Sequence, residues 1–587
     1  MISVAIGKKN KGDANNKIGE LRRAQLITTF GPGAMVDLPD VSVVVGATDK
    51  WSSKCKEIND RNLELLLGVK KFREPVSTYI NEDECTIPVR RFPDWHYCPK
   101  CGNLGPYWII AGSDKKKCKD CGVALIPSRF VAVCENGHLE DFPYRLWVHR
   151  GAGCDSTMPL KIKFSKKTRG IEGISIECPA CKANRTMAGC TSQEALLGHK
   201  CYGKRPWIGK KENDPEPCQC NMVAVQRTAS NAYYPLTVSA LTIPPTASSI
   251  VESHWTQIDA LRKKNLDGDV FRSMLEVILA GEDVAESALD EIIYEIELKG
   301  QRAGHAEVTK QSIYQSEYHA LVGENHDGAQ FKTKHVAAPE GYSELIEDIA
   351  LVKRLREIMV LMGFRRVSPE PSNVAARPMM SLSKEKLDWL PGIELLGEGV
   401  FIRLREDAVA KWEKQVDSRY QEMESRLNAS NVRCDNFSPR YVLLHSLAHA
   451  LIRQLSTECG YTASSIRERI YSTYLGDKHK MAGILLYTSS SDSDGSLGGL
   501  VRRGRPENLR ITLDEALLGA SWCSSDPLCS EAQGQGYKGL NYAACHACML
   551  LPETSCEIRN CLLDRASLVG LSDKPEIGYF SDRLKLL

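Results

Sequence analysis

The sequence has 587 residues, with 42% hydrophobic and 26% charged side chains and a formal net charge of +2. These values exclude a largely disordered chain and an acidic solvating protein, and they confine any nucleic-acid surface to local patches. At about 100–200 residues per domain, the length predicts three to five domains. Because no apolar run approaches about 18 residues and no signal peptide opens the sequence, we expect a cytoplasmic protein without a membrane span.

Changes in composition predict a mixed α+β protein with four regions. Residues 1–90 form an N-terminal arm with an α/β segment, and residues 91–245 form a β-rich region of zinc-ribbon type. Residues 246–430 lack cysteine and are predicted to be helical. Residues 431–587 form an α/β domain that carries a four-cysteine zinc knuckle.

Cysteine is the most informative residue type. Of the 22 cysteines, 14 lie within residues 55–220 and eight within residues 434–561. A reducing cytoplasm disfavours disulfides, so this distribution favours metal binding together with some buried thiols. Cys55 and Cys85 have no partner at ligand spacing and are expected to be buried thiols.

The first element with a chemical signature is a pair of CxxC turns. Cys98 and Cys101 form one turn, Cys118 and Cys121 form the other, and 16 residues separate them. A glycine follows each turn and permits the tight backbone that lets two thiolates face one centre. Four sulfur ligands suit zinc and leave no open coordination position. The spacing therefore predicts a structural zinc ribbon.

A second and looser cysteine cluster follows this ribbon. Cys178 and Cys181 form a CxxC pair after a predicted strand at residues 174–176, and the pair needs two distant ligands. Cys201 and Cys218 are the preferred partners, and the substitutes are Cys190 and Cys220. Cys134 and His138, with Cys154, form either a further metal site or part of a packed core.

Basic residues accumulate beside these cysteines, and aromatic residues are interleaved with some of them. Lysine supplies phosphate contacts and an aromatic ring can stack on an unpaired base, so this composition suits DNA. A solvated surface with a buried tryptophan explains the composition equally well. The candidate DNA-binding residues here are Lys161, Lys163, Lys166, Lys167, Lys204, Arg205 and Trp207.

Hydrophobic periodicity predicts the elements of the remaining chain. Residues 271–298 and 343–362 have helical spacing, and residues 441–455 read as a strongly apolar helix. Residues 483–487 predict a buried strand that runs into a polar loop, which is where α/β folds place ligand sites. Beyond that loop, the further candidates for DNA contact are Arg502, Arg503 and Arg505.

Two histidines of the apolar helix, His445 and His449, share one helix face. The HxxxH spacing can ligate a metal, but it lacks the glutamate that serves as general base in HExxH enzymes. We favour histidines that are packed in the core. The alternative is a catalytic or metal-binding role together with Asp492 or Asp494.

The last cysteine cluster predicts the zinc knuckle. Cys545 and Cys548 form a CxxC pair, with Cys529 upstream and Cys556 downstream. These four are the preferred ligands, which brings the expected number of zinc sites to two or three. The sequence has no GxxxxGK[ST] motif for ATP, no GxGxxG motif for a nicotinamide cofactor and no paired HxKxxxxD motifs of phospholipase-D-type nucleases.

Several motifs together resemble those of DrmB, a component of the DISARM anti-phage defence system of bacteria. The resemblance covers most of the chain, and the C-terminal third is also similar to a domain of MrfA-type DNA-repair helicases. The motifs that carry it are residues 22–25 (RRAQ), 30–34 (FGPGA), 134–143 (CENGHLEDFP), 227–231 (RTASN), 445–449 (HSLAH), 493–499 (SDGSLGG) and the cysteines at 545, 548 and 556.

The resemblance implies a partner, the helicase-like ATPase DrmA, which binds DNA. It therefore favours a non-catalytic, zinc-stabilised accessory subunit that docks on DrmA and helps to bind single-stranded or overhang DNA with little sequence preference. One alternative is a phosphodiesterase-like nuclease that uses His445 and His449 with Asp492 or Asp494. A second alternative is a pure protein–protein scaffold.

Overall fold

The structure, a computed structural model, divides the chain into two compact units that are each assembled from distant segments. The first unit comprises Met1–Asn59, Val69–Val238 and Met359–Ile393, and the second comprises Asp60–Gly68, Ser239–Ile358 and Glu394–Leu587. These bounds differ from the four consecutive regions that composition predicts. The described residues are 2–6, 17–39, 41–51, 55–75, 86–113, 116–150, 153–209, 218–243, 251, 254–264, 266–280, 289, 292–293, 296, 308–323, 325–369, 379–474, 479–488 and 498–587.

Short strands are the main regular secondary structure in the N-terminal part of the chain, which agrees with its predicted β-rich character. The strands up to residue 226 are β1 (Ile2–Ile6), β2 (Lys17–Leu21), β3 (Met35–Leu38), β4 (Val41–Val45), β5 (Lys56–Ile58), β6 (Lys71–Glu74), β7 (Thr86–Arg91), β8 (Trp95–Tyr97), β9 (Asn103–Pro106), β10 (Ile126–Pro127), β11 (Phe130–Val133), β12 (Leu139–Asp141), β13 (Leu160–Phe164), β14 (Ile174–Glu177), β15 (Asn184–Thr186) and β16 (Val223–Gln226).

The remaining strands are fewer, and two of them are long. They are β17 (Tyr234–Thr242), β18 (Lys332–Ala337), β19 (Ile346–Arg365), β20 (Trp389–Leu404), β21 (Ile466–Ser472) and β22 (Ala482–Thr488). The described helices are α1 (Gln25–Thr28), α2 (Arg61–Leu67), α3 (Tyr107–Ile110), α4 (Tyr144–His149), α5 (Trp255–Arg262), α6 (Gly268–Ile278), α7 (Lys310–Val322), α8 (Glu406–Ala429), α9 (Pro439–Cys459), α10 (Gly499–Arg503), α11 (Pro506–Ala520), α12 (Ala566–Val569) and α13 (Ser581–Leu584). Among them, none has the length and apolar character required to cross a bilayer.

Among the described residues, three complete sheets lie within the first unit. A five-stranded sheet has the order β2–β1–β7–β4–β3, a six-stranded sheet has the order β10–β8–β9–β13–β14–β15, and a three-stranded sheet has the order β12–β11–β16. The predicted strand at residues 174–176 is confirmed as part of β14. Because the six-stranded sheet pairs β8 with β9 and β14 with β15, it fixes the two loops that carry Cys98 with Cys101 and Cys178 with Cys181.

The second unit is centred on helix α9, which packs against β21, β22 and α11. Ser438 caps the start of the helix by accepting a hydrogen bond from the Tyr441 amide at 3.3 Å, and Pro439 occupies the first turn. Gly460, with φ 69°, ends it in the left-handed conformation. The predicted helix at 441–455 and strand at 483–487 are both confirmed.

The helix predicted for residues 343–362 is wrong, because the chain there forms the 20-residue strand β19. Both faces of this strand are covered, so runs such as residues 349–352 and 357–361 are buried without a break. A continuous apolar run carries no two-residue alternation, and its hydrophobic residues also satisfy helical spacing. The mixed α+β class is confirmed, but the middle of the chain contains long strands as well as helices.

Candidate metal centres

Five groups of cysteine, histidine and glutamate side chains converge within the described part of the chain. In each group the four candidate ligand atoms lie within 4.8 Å of one another. The described cysteines are all free of disulfide bonds. The groups are the ribbon group (Cys98, Cys101, Cys118, Cys121), the His138 group (Cys134, His138, Cys201, Cys218), the His149 group (His149, Cys154, Cys178, Cys181), the knuckle group (Cys523, Cys529, Cys545, Cys548) and the mixed group (His445, His449, Glu468, Cys556).

The ribbon group contains the four cysteines that the sequence places in one site. Cys98 precedes β9, and its amide donates to the carbonyl of Asn103 at 2.9 Å. The Sγ atoms of Cys101 and Cys118 are 3.8 Å apart. A zinc ion with four Zn–S bonds of about 2.3 Å requires sulfurs about 3.8 Å apart, so this separation fits a tetrahedral site.

Three CxxC turns of the first unit share one hydrogen-bond pattern. The amide of the residue after the second cysteine donates to the carbonyl of the first cysteine, at 2.9 Å for Gly102, 2.8 Å for Gly122 and 2.9 Å for Lys182. All three residues have positive φ values, between 62° and 72°. Glycine adopts this conformation without strain, whereas lysine at position 182 does not. The third turn is therefore formed without the glycine that marks the first two in the sequence.

In the two turns that begin at Cys98 and Cys178, the backbone favours the thiolate form of the first cysteine. Burial opposes ionisation of Cys98, but the amides of Cys101 and Lys100 donate to its sulfur and lower its pKa to about 7. The same arrangement lowers the pKa of Cys178 to about 6, again against the effect of burial. Since the thiolate is the form that binds metal, these two sulfurs are prepared for a cation.

The His149 group contains Cys178 and Cys181, but not the two partners that the sequence favours for them. Its other members are Cys154 and His149, the last residue of α4. The Nδ1 atom of His149 lies 2.7 Å from the carbonyl of Arg145, which leaves Nε2 for the group. His149 is not recognisable as a ligand from the sequence, because no spacing rule links a helix-terminal histidine to a CxxC pair 29 residues later.

The His138 group takes the two cysteines that the sequence analysis placed with Cys178 and Cys181. Cys201 and Cys218 lie instead with Cys134 and His138, whose Sγ and Nδ1 atoms are 3.4 Å apart. The pairing of β11 with β12 and β16 brings these segments together, and this long-range register is not visible in the sequence. Both substitutes named from the sequence lie outside the five groups: Cys190 is buried, and Cys220 is partly buried.

The knuckle group contains three of the four predicted cysteines, with Cys523 in place of Cys556. The Sγ atom of Cys523 lies 3.5 Å from that of Cys545, and the Sγ atom of Cys529 lies 3.7 Å from that of Cys548. These separations again fit four Zn–S bonds. Cys523 lies shortly after α11, whereas Cys556 belongs to another group.

The mixed group contains the two histidines of the apolar helix. His445 and His449 are 0% exposed, and their partners are Glu468 of β21 and Cys556. Burial raises the pKa of Glu468, but attraction to the imidazoles in their protonated form outweighs burial and lowers it below the ordinary value. Burial lowers the pKa of His449. Asp492 and Asp494, the other candidates for a catalytic site, lie outside the described residues.

The first candidate DNA-binding segment is exposed to solvent. Residues 163–170 are all exposed, including Phe164, whose exposed fraction is 53%. Lys161 is partly buried and donates to the carbonyl of Cys101 at 3.0 Å, and Lys163 forms an ion pair with Glu177. Lys166 and Lys167 form the exposed turn after β13.

The second candidate segment is only partly exposed. Trp207 is 2% exposed and packs edge-to-face on Phe364, so it cannot stack on a base in this conformation. Arg205 is also buried, whereas Lys204 is exposed and lies 3.8 Å from Glu140. In the second unit Arg502 and Arg505 are exposed, and Arg503 forms an ion pair with Glu458 at 3.3 Å.

Comparison with known families agrees with this distribution of cysteines. Residues 22–234 match a domain of unknown function (DUF8724), and residues 447–549 match the MrfA Zn-binding domain. The second match includes all four cysteines of the knuckle group. The chain therefore carries a Zn-binding domain, and its Cys/His groups indicate zinc as the metal.

A curated relative defines the family. The chain is 32% identical over 588 residues to the DISARM protein DrmB of Bacillus paralicheniformis, and the alignment covers 94% of this chain and 100% of the relative. The chain therefore belongs to the DrmB family of DISARM proteins. Both resemblances found in the sequence, to DrmB and to MrfA-type helicases, are confirmed.

Proposed function

We propose that the chain is a non-catalytic, zinc-stabilised accessory subunit of an anti-phage defence complex, which docks on the helicase-like ATPase DrmA and helps to hold DNA. The observation that carries the proposal is the relation to DISARM protein DrmB along the whole length of that relative. The cysteine groups and the exposed basic segment supply the physical roles.

In this proposal the ribbon, His138, His149 and knuckle groups each bind one zinc ion. The sulfur separations of 3.5–3.8 Å in the ribbon and knuckle groups support this role. Each ion would fix loops that bury too little apolar surface to hold themselves in place. The ribbon and knuckle groups would be closed shells of four thiolates, which leave no coordination position for a reacting water molecule.

The burial of the two helix histidines supports the non-catalytic part of the proposal. A phosphodiesterase needs its imidazoles within hydrogen-bond distance of a phosphate. His445 and His449 are 0% exposed, and their Nδ1 atoms lie 3.3 Å and 2.8 Å from the carbonyls of Leu562 and Met549. A DNA phosphate would reach them only after the core of the second unit had opened.

The exposed turn after β13 supplies the DNA surface in this proposal. Lys166 and Lys167 would contact phosphates, and Phe164 would stack on an unpaired base in place of the buried Trp207. Stacking and phosphate contacts do not distinguish one base sequence from another. We therefore expect binding to single strands and overhangs with little sequence preference.

The experiment is a DNA-binding titration of the full chain, with and without DrmA, at several salt concentrations. We expect salt-dependent binding of single-stranded DNA that is tighter with DrmA present. The double variant Lys166→Glu/Lys167→Glu should bind more weakly and should reduce the slope of log K against log salt by about 1.4, or about 0.7 for each phosphate contact. The matched control reverses two exposed lysines elsewhere, Lys384→Glu/Lys386→Glu, and should leave binding unchanged.

The same titration separates the alternatives. Absence of DNA binding even with DrmA present would contradict the DNA role and favour a protein scaffold. DNA cleavage that disappears in a folded His449→Ala variant would contradict the non-catalytic role and favour a nuclease. Failure of the chain to co-elute with DrmA in size-exclusion chromatography would contradict docking.

A further inference from the structure

The mixed group differs from the other four because its ligands come from the core of the second unit. His445 and His449 lie one turn apart on α9, Glu468 lies in β21, and Cys556 lies in the loop after the knuckle. The side chains of both histidines and of Glu468 have no exposed surface. The Nε2 atom of His445 lies 3.0 Å from Glu468 Oε1 and 3.2 Å from Cys556 Sγ.

The outer hydrogen bonds orient these side chains toward one point. The Nδ1 atoms of His445 and His449 face the backbone carbonyls of Leu562 and Met549, at 3.3 Å and 2.8 Å. A histidine that donates Nδ1–H to a carbonyl presents the lone pair of Nε2, which is the usual state of a metal-ligating histidine. Both Nε2 atoms therefore face the group as acceptors.

The other two ligands are held in the same way by backbone amides. The Glu557 amide donates to Glu468 Oε1 at 3.1 Å, and the Asn560 amide donates to Cys556 Sγ at 3.1 Å. Burial and the neighbouring Glu468 carboxylate raise the pKa of the Cys556 thiol, and the donation from the Asn560 amide partly offsets this shift. Two imidazole lone pairs, a carboxylate and a sulfur acceptor thus converge inside a region that excludes solvent.

Two atoms of the group lack a hydrogen bond within the described part of the chain. They are His449 Nε2 and Glu468 Oε2, which are buried and lie 3.5 Å apart. Both histidines lie at ion-pair distance from Glu468, at 3.0 Å for His445 and 3.5 Å for His449, but the longer contact forms no hydrogen bond. A buried polar atom without a partner destabilises the folded state, and a cation at the centre would satisfy both atoms.

We propose that His445, His449, Glu468 and Cys556 bind one divalent transition-metal ion, and that this ion is zinc in a closed, four-coordinate structural site. Nitrogen, oxygen and sulfur are all ligands that zinc accepts, and the 3.0–3.5 Å separations suit bonds of about 2.0–2.3 Å. The ion joins α9 to β21 and to the segment that follows the knuckle. This inference does not rest on DrmA docking or on DNA binding.

The direct test is an anomalous-difference map at the zinc absorption edge, from crystals of the full wild-type chain grown without added metal. We expect a peak between the four side chains, about 2.0–2.3 Å from each ligand atom. The knuckle group is the internal control, because all four of its ligands lie in the matched Zn-binding domain, whereas His445 and Cys556 lie outside the matched residues. A peak at the knuckle with only a water molecule, or nothing, in the mixed group would overturn the proposal.

Metal analysis of variants gives a second test. The variants Glu468→Gln and Cys556→Ser should each lose one zinc ion per chain relative to wild type. Cys561→Ser is the matched control, because Cys561 is buried on the same loop but belongs to none of the five groups, and it should retain full zinc content. Unchanged zinc in folded Glu468→Gln and Cys556→Ser variants would contradict the proposal. If neither variant folds, the wild-type map decides.

Discussion

The ribbon group and the mixed group represent two ways in which one chain can assemble four metal ligands. The ribbon group draws on residues 98–121, contains only cysteine, and leaves Cys101 and Cys121 partly exposed. The mixed group draws on residues 445–556, contains four side chains of three types, and is fully enclosed. A metal in the first fixes a surface loop, whereas a metal in the second is part of the core.

The largest expected difference between the two sites is in how fast they lose zinc to a chelator. A strong zinc chelator should release the ribbon ion first, because two of its ligands reach solvent. Hydrogen exchange of backbone amides should rise in residues 95–127 before it rises in residues 439–459. Simultaneous loss of protection in both segments would contradict a difference in access between the two sites.

A single cysteine substitution should have the next largest effect. Cys98→Ser should remove about one zinc ion per chain and unfold the loops around β8 and β9, while α9 keeps its protection. Metal analysis and hydrogen exchange together measure this. Unchanged zinc content in the variant would sink the ribbon assignment, and loss of protection in α9 would show that the two regions are not independent.

The zinc affinities of the two sites should depend differently on pH, because different numbers of protons compete with the metal at each site. Zinc affinity falls as pH falls, because thiolates must be deprotonated to bind. The ribbon group has four thiols and the mixed group has one, so the ribbon affinity should fall more steeply between pH 8 and pH 7. Cys98, with a pKa of about 7, adds its proton mainly below that range. Zinc competition with a coloured chelator, in wild type, Cys98→Ser and Cys556→Ser, measures both slopes.

The smallest expected effects come from the residue that follows each CxxC pair. Gly102→Ala should lower the free energy of unfolding by about 3 kcal/mol, because its Cβ would lie 2.7 Å from the carbonyl oxygen of Ile162. Gly122→Ala is the matched control: it has positive φ but no atom within 4 Å, so we expect a cost of only about 1 kcal/mol. Denaturant titration of the zinc-loaded chain measures both, and equal costs would contradict the steric argument.

The reverse substitution should stabilise the third turn. Lys182→Gly should raise the free energy of unfolding by about 1 kcal/mol, because a φ of 62° strains the lysine backbone but not that of glycine. A decrease in stability would show that the Lys182 side chain contributes more than its strain costs.

The contrast between the two sites also explains how far the sequence could predict them. Spacing alone brings Cys98, Cys101, Cys118 and Cys121 together, because each CxxC turn is a local structure. Spacing could not find Glu468 or pair Cys556 with the helix histidines, since strand β21 and helix α9 meet only in the folded core. The HxxxH spacing on the apolar helix indicates two possible metal ligands, but it carries no information about Glu468 and Cys556.

The same limit applies to the elements of the fold. Helix α9 was predictable because its cap, its apolar face and its terminal glycine all lie within one segment. Strand β19 was not predictable, because both of its faces are covered. Its side chains are therefore buried in continuous runs, and the two-residue alternation that identifies a strand is lost. Cys134 and His138 were recognised as ligand types, but their partners depend on the pairing of β11 with β16.

Native mass spectrometry of the full chain, purified without added metal, tests the central claim most directly. We expect a mass that exceeds that of the metal-free chain by five zinc ions, one for each group. We also expect that Cys556→Ser and Cys98→Ser each lower the count by one. A wild-type chain that carries no zinc, or only the ion of the knuckle group, would contradict the claim that zinc holds this protein together.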